Sequence, residues 1–317
     1  MRTLKAALAL LIITLSFLSG QAQTRFDNLE FKQFSTPEGL PNSMVHQVYQ
    51  DRDGYIWIST FYGLFRYDGY EVRTYKSNLY TPGLLVNNNV ICVEEDYSHR
   101  LWIGTHEGLC VLDKQTGKMR KMKLEGISKH RLNEIHVTKD NKVYLGYIRG
   151  MACYNAELDT LELMTSKNCK GEVPEQINIQ TLLEDENGDL LIGTWQDGLF
   201  HYNIKENKFT HYPPLDESNS VLALFQDSKG ALWVGTSGSG LYKVNFSPDK
   251  KTLSVEKAYK HDALNTLSLS SDYIYSIHED LQTHSLWLGT RNGVSIMDLT
   301  DEGKLSLIHI SEPTRPY

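Results

Sequence analysis

The stretch DGYIWISTFYGLFRYDG, Asp53 to Gly69, places an aromatic anchor, a small residue followed by Thr, and a glycine at fixed distances. The same form returns as HRLWIGTHEGLCVLD, NKVYLGYIRGMACYN, GDLLIGTWQDGLFHYN, GALWVGTSGSGLYKVN and HSLWLGTRNGVSIMD. The anchors are Trp57, Trp102, Tyr144, Leu191, Trp233 and Trp287, spaced 45, 42, 47, 42 and 54 residues apart. Behind five of them stands a small residue plus Thr (Ser59-Thr60, Gly104-Thr105, Gly193-Thr194, Gly235-Thr236, Gly289-Thr290), while the third unit has Gly146-Tyr147. A second glycine follows in all six, at Gly63, Gly108, Gly150, Gly198, Gly240 and Gly293. Five residues beyond each comes Asp68, Asp113, Asn155, Asn203, Asn245 or Asp298. A catalytic motif is needed once, so a unit printed six times is architecture.

Each anchor stretch runs apolar over five or six residues and is rich in β-branched and aromatic side chains, which predicts a strand. A short Gly-containing link leads to the next strand, as a hairpin requires. The recurrent Asp or Asn closes that strand, where its short side chain can bond the turn backbone. Further strands follow (YEVRTY, GKMRKM, DTLELM, NKFTHY, LSVEKAY) and precede (NVICVEED, SVLALFQD, YIYSIHED) the pair. Four strands per unit of about 46 residues is the size of a β-propeller blade. The fold predicted is all-β, a propeller of four-stranded blades with six blades present across residues 23–304. A β-sandwich of similar strand count leaves the sixfold period unexplained.

Composition sets the outer limits. With 40% hydrophobic and 22% charged residues the chain is globular in character, and its net charge is -7. No Lys/Arg cluster offers phosphates a binding face, so the reading excludes nucleic acid as a partner of this segment. Arg2 and Lys5, the apolar run Ala6 to Leu18, and the small residues Gly20 and Ala22 form a signal peptide over residues 1–22, cut after Ala22. The mature chain is then exported and carries about -9. Cys92, Cys110, Cys153 and Cys169 follow no repeat register and form no C-x-x-C, which leaves small buried thiols or one disulfide open. No cofactor motif and no metal-ligand spacing is found.

The six units resemble the two-component regulator propeller repeat. The likeness is carried above all by LPNSMVHQVYQDRDGYIWISTFYGLFRYDG and HDALNTLSLSSDYIYSIHEDLQTHSLWLGTRNGVSIMD, and it runs from about Phe26 to Lys304. Tyr144 and Leu191 depart from the usual Trp, and DLQTHS from the usual Asp-x-x-Gly turn. The resemblance implies a sensor lying outside the inner membrane in hybrid histidine-kinase systems that control glycan-use genes in Gram-negative gut bacteria. It also implies a second propeller, a small β-domain, a membrane helix and kinase, receiver and DNA-binding parts further on. A seven-bladed parent ring is implied as well, cut short here. LEFKQF, Leu29 to Phe34, reads as an orphan fourth strand ahead of the first unit. LSLIHISEPTRPY, residues 305–317, resembles an in-frame translation of a sequencing adapter, although LSLIHI alternates well enough to pair as a strand.

Function is sought on the hairpins before each second glycine, since a propeller presents them all on one face. They contribute Phe61 and Tyr62, His106 and Glu107, Tyr147 and Arg149, Trp195 with Gln196 and Asp197, and Arg291 with Asn292. The links leading into each blade add Asn42, Asn87, Asn88 and Asn219. Aromatic faces beside amides, arginines and carboxylates are suited to an oligosaccharide: rings stack on the apolar sugar face and polar groups bond hydroxyls or acids. Partners expected are that ligand, the second propeller and later domains of the parent, and a second copy in a homodimer. Asp51-Arg52-Asp53-Gly54 and Asp185-Glu186-Asn187-Gly188-Asp189 share the start of a calcium loop but lack its Glu at the twelfth position, so they read as turns. Two other functions stay open. An exported lyase or glycoside hydrolase would need convergent carboxylates or His at the channel mouth, with His106 and Glu107 as candidates. A scaffold would bind proteins independently of sugar.

Overall fold

A computed structural model describes residues 44–78, 85–122, 131–215, 219–247, 250–265 and 267–300, with the backbone of 308–310. The predicted signal peptide, the strand at 29–34, Asn42 and most of the 305–317 tail lie outside the described residues. Every described element is a strand. Blade one holds β1 (Val45–Gln50), β2 (Ile56–Thr60), β3 (Gly63–Tyr67) and β4 (Val72–Tyr75). Blade two holds β5 (Val90–Glu95), β6 (Arg100–Thr105), β7 (Gly108–Asp113) and β8 (Met119–Met122). Blade three holds β9 (Leu132–Val137), β10 (Val143–Tyr147), β11 (Gly150–Asn155) and β12 (Thr160–Met164). Blade four opens with the short β13 (Lys170–Gly171), then β14 (Ile179–Glu184), β15 (Leu190–Thr194), β16 (Leu199–Asn203) and β17 (Lys208–Tyr212). Blade five is β18 (Val221–Gln226), β19 (Leu232–Thr236), β20 (Leu241–Phe246) and β21 (Leu253–Tyr259). Blade six is β22 (Ile274–Asp280), β23 (Ser285–Thr290), β24 (Gly293–Asp298) and β25 (Ile308–Ile310). The strands of each blade pair antiparallel in chain order, except that β13 runs parallel to the outer edge of β17. Six such sheets make the six-bladed propeller that the period predicts. Ile308–Ile310, inside the suspected adapter segment, pairs with β24 as its fourth strand.

Three recurrent locks shape the blades. In blades one, two and five the turn aspartate (Asp51, Asp96, Asp227) accepts two backbone N–H groups on Oδ1 and the anchor indole on Oδ2, at 2.8 Å each time. In five blades the hairpin Thr donates its hydroxyl to the carbonyl of the second glycine: Thr60, Thr105, Thr194, Thr236 and Thr290. At the end of the third strand, Asp68, Asp113 and Asn155 each accept two turn N–H groups on Oδ1. These bonds satisfy turn groups that water would otherwise have to reach. Second strands such as β15 and β19 are buried along their whole length, because neighbouring blades cover both faces. Outer strands such as β12 and β17 alternate, with one face in water. All four cysteines are free thiols.

Blades join by a knob on a glycine. The first aliphatic of one first strand presses on the small residue of the preceding blade's second strand. A Cβ on Gly146 would stand 2.6 Å from Ile179, one on Gly193 2.6 Å from Val221, and one on Gly235 2.9 Å from Ile274. Packing of successive first strands runs from β1 to β5, β9, β14, β18 and β22, and no comparable packing joins β22 back to β1 among the described residues. Accordingly Val45 is 47% exposed, while its counterparts Val90, Leu132, Ile179, Val221 and Ile274 are at most 2% exposed. The nearest atoms to a Cβ on Gly289 all belong to Ser276 of its own blade.

Gly193→Ala is therefore expected to destabilise the protein by about 1–3 kcal/mol through overpacking against Thr181 and Val221. Gly289→Ala should cost clearly less, since the Ser276 hydroxyl can rotate away. Urea midpoints of the two variants test this, and equal losses would contradict the glycine socket.

Candidate functional site

The hairpin tips are positioned by the Thr lock. Each Thr hydroxyl that donates to the glycine carbonyl also accepts a tip N–H, from Tyr62, Glu107, Asp197, Ser239 or Asn292. The backbone of the tip is thus fixed from below, whatever side chain it carries. A second set of bonds runs from the tip to the link leading into the same blade: His106 N to Asn89 O, Trp195 N to Asn178 O, Ser237 N to Ser220 O and Arg291 N to Tyr273 O. Tips and links therefore share one face, as the sequence predicts.

Most of the predicted residues stand on that face. Phe61, Tyr62, His106, Glu107, Arg149, Trp195, Gln196, Arg291 and Asn292 are exposed, and Asp197 is half-buried. Three of them are already engaged. The Asp197 carbonyl lies 2.7 Å from His211 Nε2, the Arg291 guanidinium lies over Tyr273, and Asn292 Nδ2 donates to Ser270 O. Gln196 has a left-handed backbone (φ 74°) and is pinned through its N–H to Ser220 Oγ and through its carbonyl by Asn219 Nδ2. Asn87 and Asn88 are half-buried and spend their side chains on the link, capping Asn89 N and Ser77 N. Tyr147 is a correction. It occupies the register position of Thr, opposite Gly150, and its ring is buried in the core of blade three. Burial pushes its phenol up to about 12. In a blade without the Thr lock a large ring takes its volume, so the tip there is the half-buried Ile148 and the exposed Arg149.

The mouth of the central channel adds residues that no local motif marks. His46 Nε2 lies 3.1 Å from Asn89 Oδ1, and the His46 ring sits 5.1 Å from Phe61. Asn133 Nδ2 donates to Asn178 Oδ1 at 2.8 Å and to the Ile179 carbonyl, and Gln180 Nε2 donates to the same Asn178 oxygen. All lie at the starts of first strands or in the links before them, and the packing of one blade on the next brings them together.

Deeper in the ring the first strands carry Glu94, Glu134 and Glu184. Burial raises the Glu94 carboxyl to about 8, with the charge of Glu184 adding to it. Burial and the neighbouring Glu94 push Glu134 well above the carboxylate range. His136, 4.0 Å from Glu184, is driven down to about 4 by burial. At the wall between blades two and three, burial and mutual repulsion thus disfavour the charged forms of Glu94 and Glu134.

Residues 39–62, 84–107 and 216–238 match the family model described as two component regulator propeller. A stretch of 67 residues, 21% of the chain, is 34% identical to histidine kinase P4 of Formosa agariphila and covers 5% of it. The fold matches an extracellular domain described as that of a hybrid two component system from B. thetaiotaomicron, with a TM-score of 0.69 and 24% identity. That match covers 89% of this chain and 36% of the other. A second B. thetaiotaomicron extracellular domain matches at 26% identity and a TM-score of 0.57, over 80% of this chain and 38% of the other. The chain therefore spans little more than a third of the length of these extracellular domains. Virginiamycin B lyase from Staphylococcus aureus also matches, at 10% identity, 87% of both chains and a TM-score of 0.66, a likeness of fold alone.

The channel glutamates give a pH test. An acid whose folded pKa is raised contributes stability that is full below its unfolded value, 4.5, and is lost as pH climbs through about 8. His136, with a lowered pKa, acts in the opposite sense between about 4 and 6.5, so the range above pH 6.5 isolates the glutamates. Between pH 6.5 and 8.5 the Tm of the protein should fall, and Glu94→Gln should flatten that fall. An unchanged slope in the variant would overturn the raised Glu94 carboxyl.

Proposed function

Because its repeats are those of the two-component regulator propeller, we propose that this chain is the ligand-sensing propeller segment of an exported hybrid two-component regulator. The ligand we assign to the tip face is an oligosaccharide. The observation that carries this reading is the set of exposed rings Phe61, Tyr62 and Trp195 standing on the same face as the amide-lined mouth formed by Asn89, Asn133, Asn178 and Gln180. Rings offer stacking surfaces to sugars, and amides offer paired donors and acceptors to vicinal hydroxyls. The raised carboxyls of Glu94 and Glu134 reduce the negative charge behind that mouth, which suits a neutral ligand.

The kinase belongs to the parent protein, and the segment sits in the periplasm after cleavage near Ala22. A seventh blade, supplied by residues outside those described, would seat its first aliphatic on Gly289 and receive Val45 on its own glycine. The second propeller and a dimer partner would then read a shift between two arrangements that the ligand binds unequally. Recognition rather than catalysis fits the tips. The side chains of His106 and Glu107 are exposed, and neither has a hydrogen-bond or ion-pair partner among the described residues that would fix a catalytic protonation state.

Isothermal titration against a panel of neutral and acidic oligosaccharides tests this. At least one should bind, and Trp195→Ala should weaken it about tenfold, the loss of one stacking contact. If no glycan binds, or if Phe61→Ala and Trp195→Ala leave affinity intact, the tip face is not the sugar site.

A further inference from the structure

Blade four departs from the repeat at three positions, and the fold brings all three together. Its anchor is Leu191, so the indole that ties down the turn aspartate elsewhere is missing. Two residues before the anchor stands Asp189, where no other blade has a carboxylate. Directly across the strand pair from Leu191 stands His201, where no other blade has an imidazole.

Asp185 keeps its turn duty through Oδ1, which accepts N–H from Asn187 at 2.8 Å and from Asp189 at 3.1 Å. Its Oδ2, the oxygen that accepts indole in blades one, two and five, faces His201 Nε2 at 3.8 Å. Asp189 Oδ2 lies 3.5 Å from the same nitrogen and accepts Asn203 Nδ2. Asp189 Oδ1 accepts Ile204 N, which fixes the carboxylate plane. The His201 side chain is 6% exposed, yet its Nε2 makes no hydrogen bond. A buried ring nitrogen therefore points at two carboxylate oxygens from beyond bonding distance, and the three atoms lie within 4.8 Å of one another. Ligand atoms held tetrahedrally about 2.0–2.2 Å from zinc stand about 3.3–3.6 Å apart.

Among the described residues the cation already present is Lys250, whose ammonium contacts Asp185 Oδ2 from blade five. It repeats the reach of Lys114 from blade two to Asp51 Oδ2. Lys250 is the more exposed of the two, 22% against 9%, so it can swing into water at small cost. It also neutralises only one of the two carboxylates, whereas a divalent ion balances both.

We infer that Asp185, Asp189 and His201 form a divalent metal site of the zinc class, which ties β16 to the β14–β15 turn in place of the missing indole. One imidazole with two carboxylates selects zinc or a similar transition ion over calcium, which takes oxygen ligands alone. Metal and Lys250 compete for Asp185 Oδ2.

The chain, stripped with EDTA and dialysed, is titrated with Zn2+ and separately with Ca2+, reading stoichiometry by elemental mass spectrometry and Tm by calorimetry. One zinc per chain should bind and raise the Tm, with calcium far weaker. Lys250→Met should tighten zinc about tenfold by removing a charged hydrogen-bonding competitor. The double variant Leu191→Trp with His201→Val recreates the Trp102–Val111 pair of blade two, and should fold without binding zinc. Should that pair fail to fold, His201→Gln in the Lys250→Met background carries the same test and should lose the zinc. Zinc retained in these variants would assign it to surface histidines or free thiols and overturn the site. Absence of zinc binding in both the parent chain and Lys250→Met would overturn it too.

Discussion

In three of the six blades one buried carboxylate oxygen holds the turn to the anchor ring. In blades one, two and five, Oδ2 of the turn aspartate accepts an indole N–H while Oδ1 accepts two turn amides, so one side chain fixes the turn, the anchor ring and the register between first and second strands. Bonds to an ionised acceptor in a dry site are the strong class, and a lost partner there leaves a buried charge. The blades lacking the pair show what it supplies. Blade three substitutes the Thr138 hydroxyl, which bonds Asp140 and the Lys142 carbonyl, with Tyr144 as the anchor. Blade six has Trp287 but the longer DLQTHS turn. Asp280 turns instead to Thr283, and the buried indole N–H is left without a partner. Blade four puts His201 where the indole would be.

The knob-on-glycine contact explains how locked blades become a ring. First-strand aliphatics seat on a small residue of the preceding blade, Ser59 in blade one and glycine in blades two to five, so adjacent blades complete each other's burial. Polar bonds reinforce the same seams: Arg52 N and Ser228 N donate to Glu95 and Glu279 of the next blade, and Lys139 N to Glu184. Lys114 goes further, tying Asp51, Asp53 and Glu95 across one seam. Among the described residues the chain of contacts leaves one knob, Val45, and one socket, Gly289, unmatched.

What could be read from the sequence divides along the same line. Anchors, second glycines and terminal Asp or Asn residues are local and periodic, and six copies corroborate one another, so the strands and their order were legible. Tyr147 was misplaced although the sequence contained the clue: Gly146-Tyr147 breaks the small-Thr pair, so the Tyr stands in the lock rather than on the tip. The channel mouth was not legible. His46, Asn89, Asn133 and Asn178 are ordinary polar residues at strand starts, and only the packing of adjacent blades makes them neighbours. His201 lay between these cases. Aligning third strands by register with their anchors would have shown an imidazole facing a blade that had lost its indole.

The locks also separate what must stay constant from what may vary. Asp carboxylates and their turns occupy one end of the ring, where each residue is committed to several bonds. At the other end the Thr hydroxyl holds the tip through main-chain atoms alone, one carbonyl and one N–H, so the lock itself sets no requirement on the tip side chain. Phe61-Tyr62, His106-Glu107 and Arg291-Asn292 sit on equivalent backbones with unrelated chemistry for this reason. A face built in that way can change its ligand by substitution at the tips, while the aspartate end keeps the ring rigid enough to present six independent side-chain pairs in fixed positions. Rigidity at one end is thus the condition for variability at the other, and the unlocked third blade shows the converse. There the residue in the lock position is drawn into the core, and the tip's exposed side chain is Arg149, beside the half-buried Ile148.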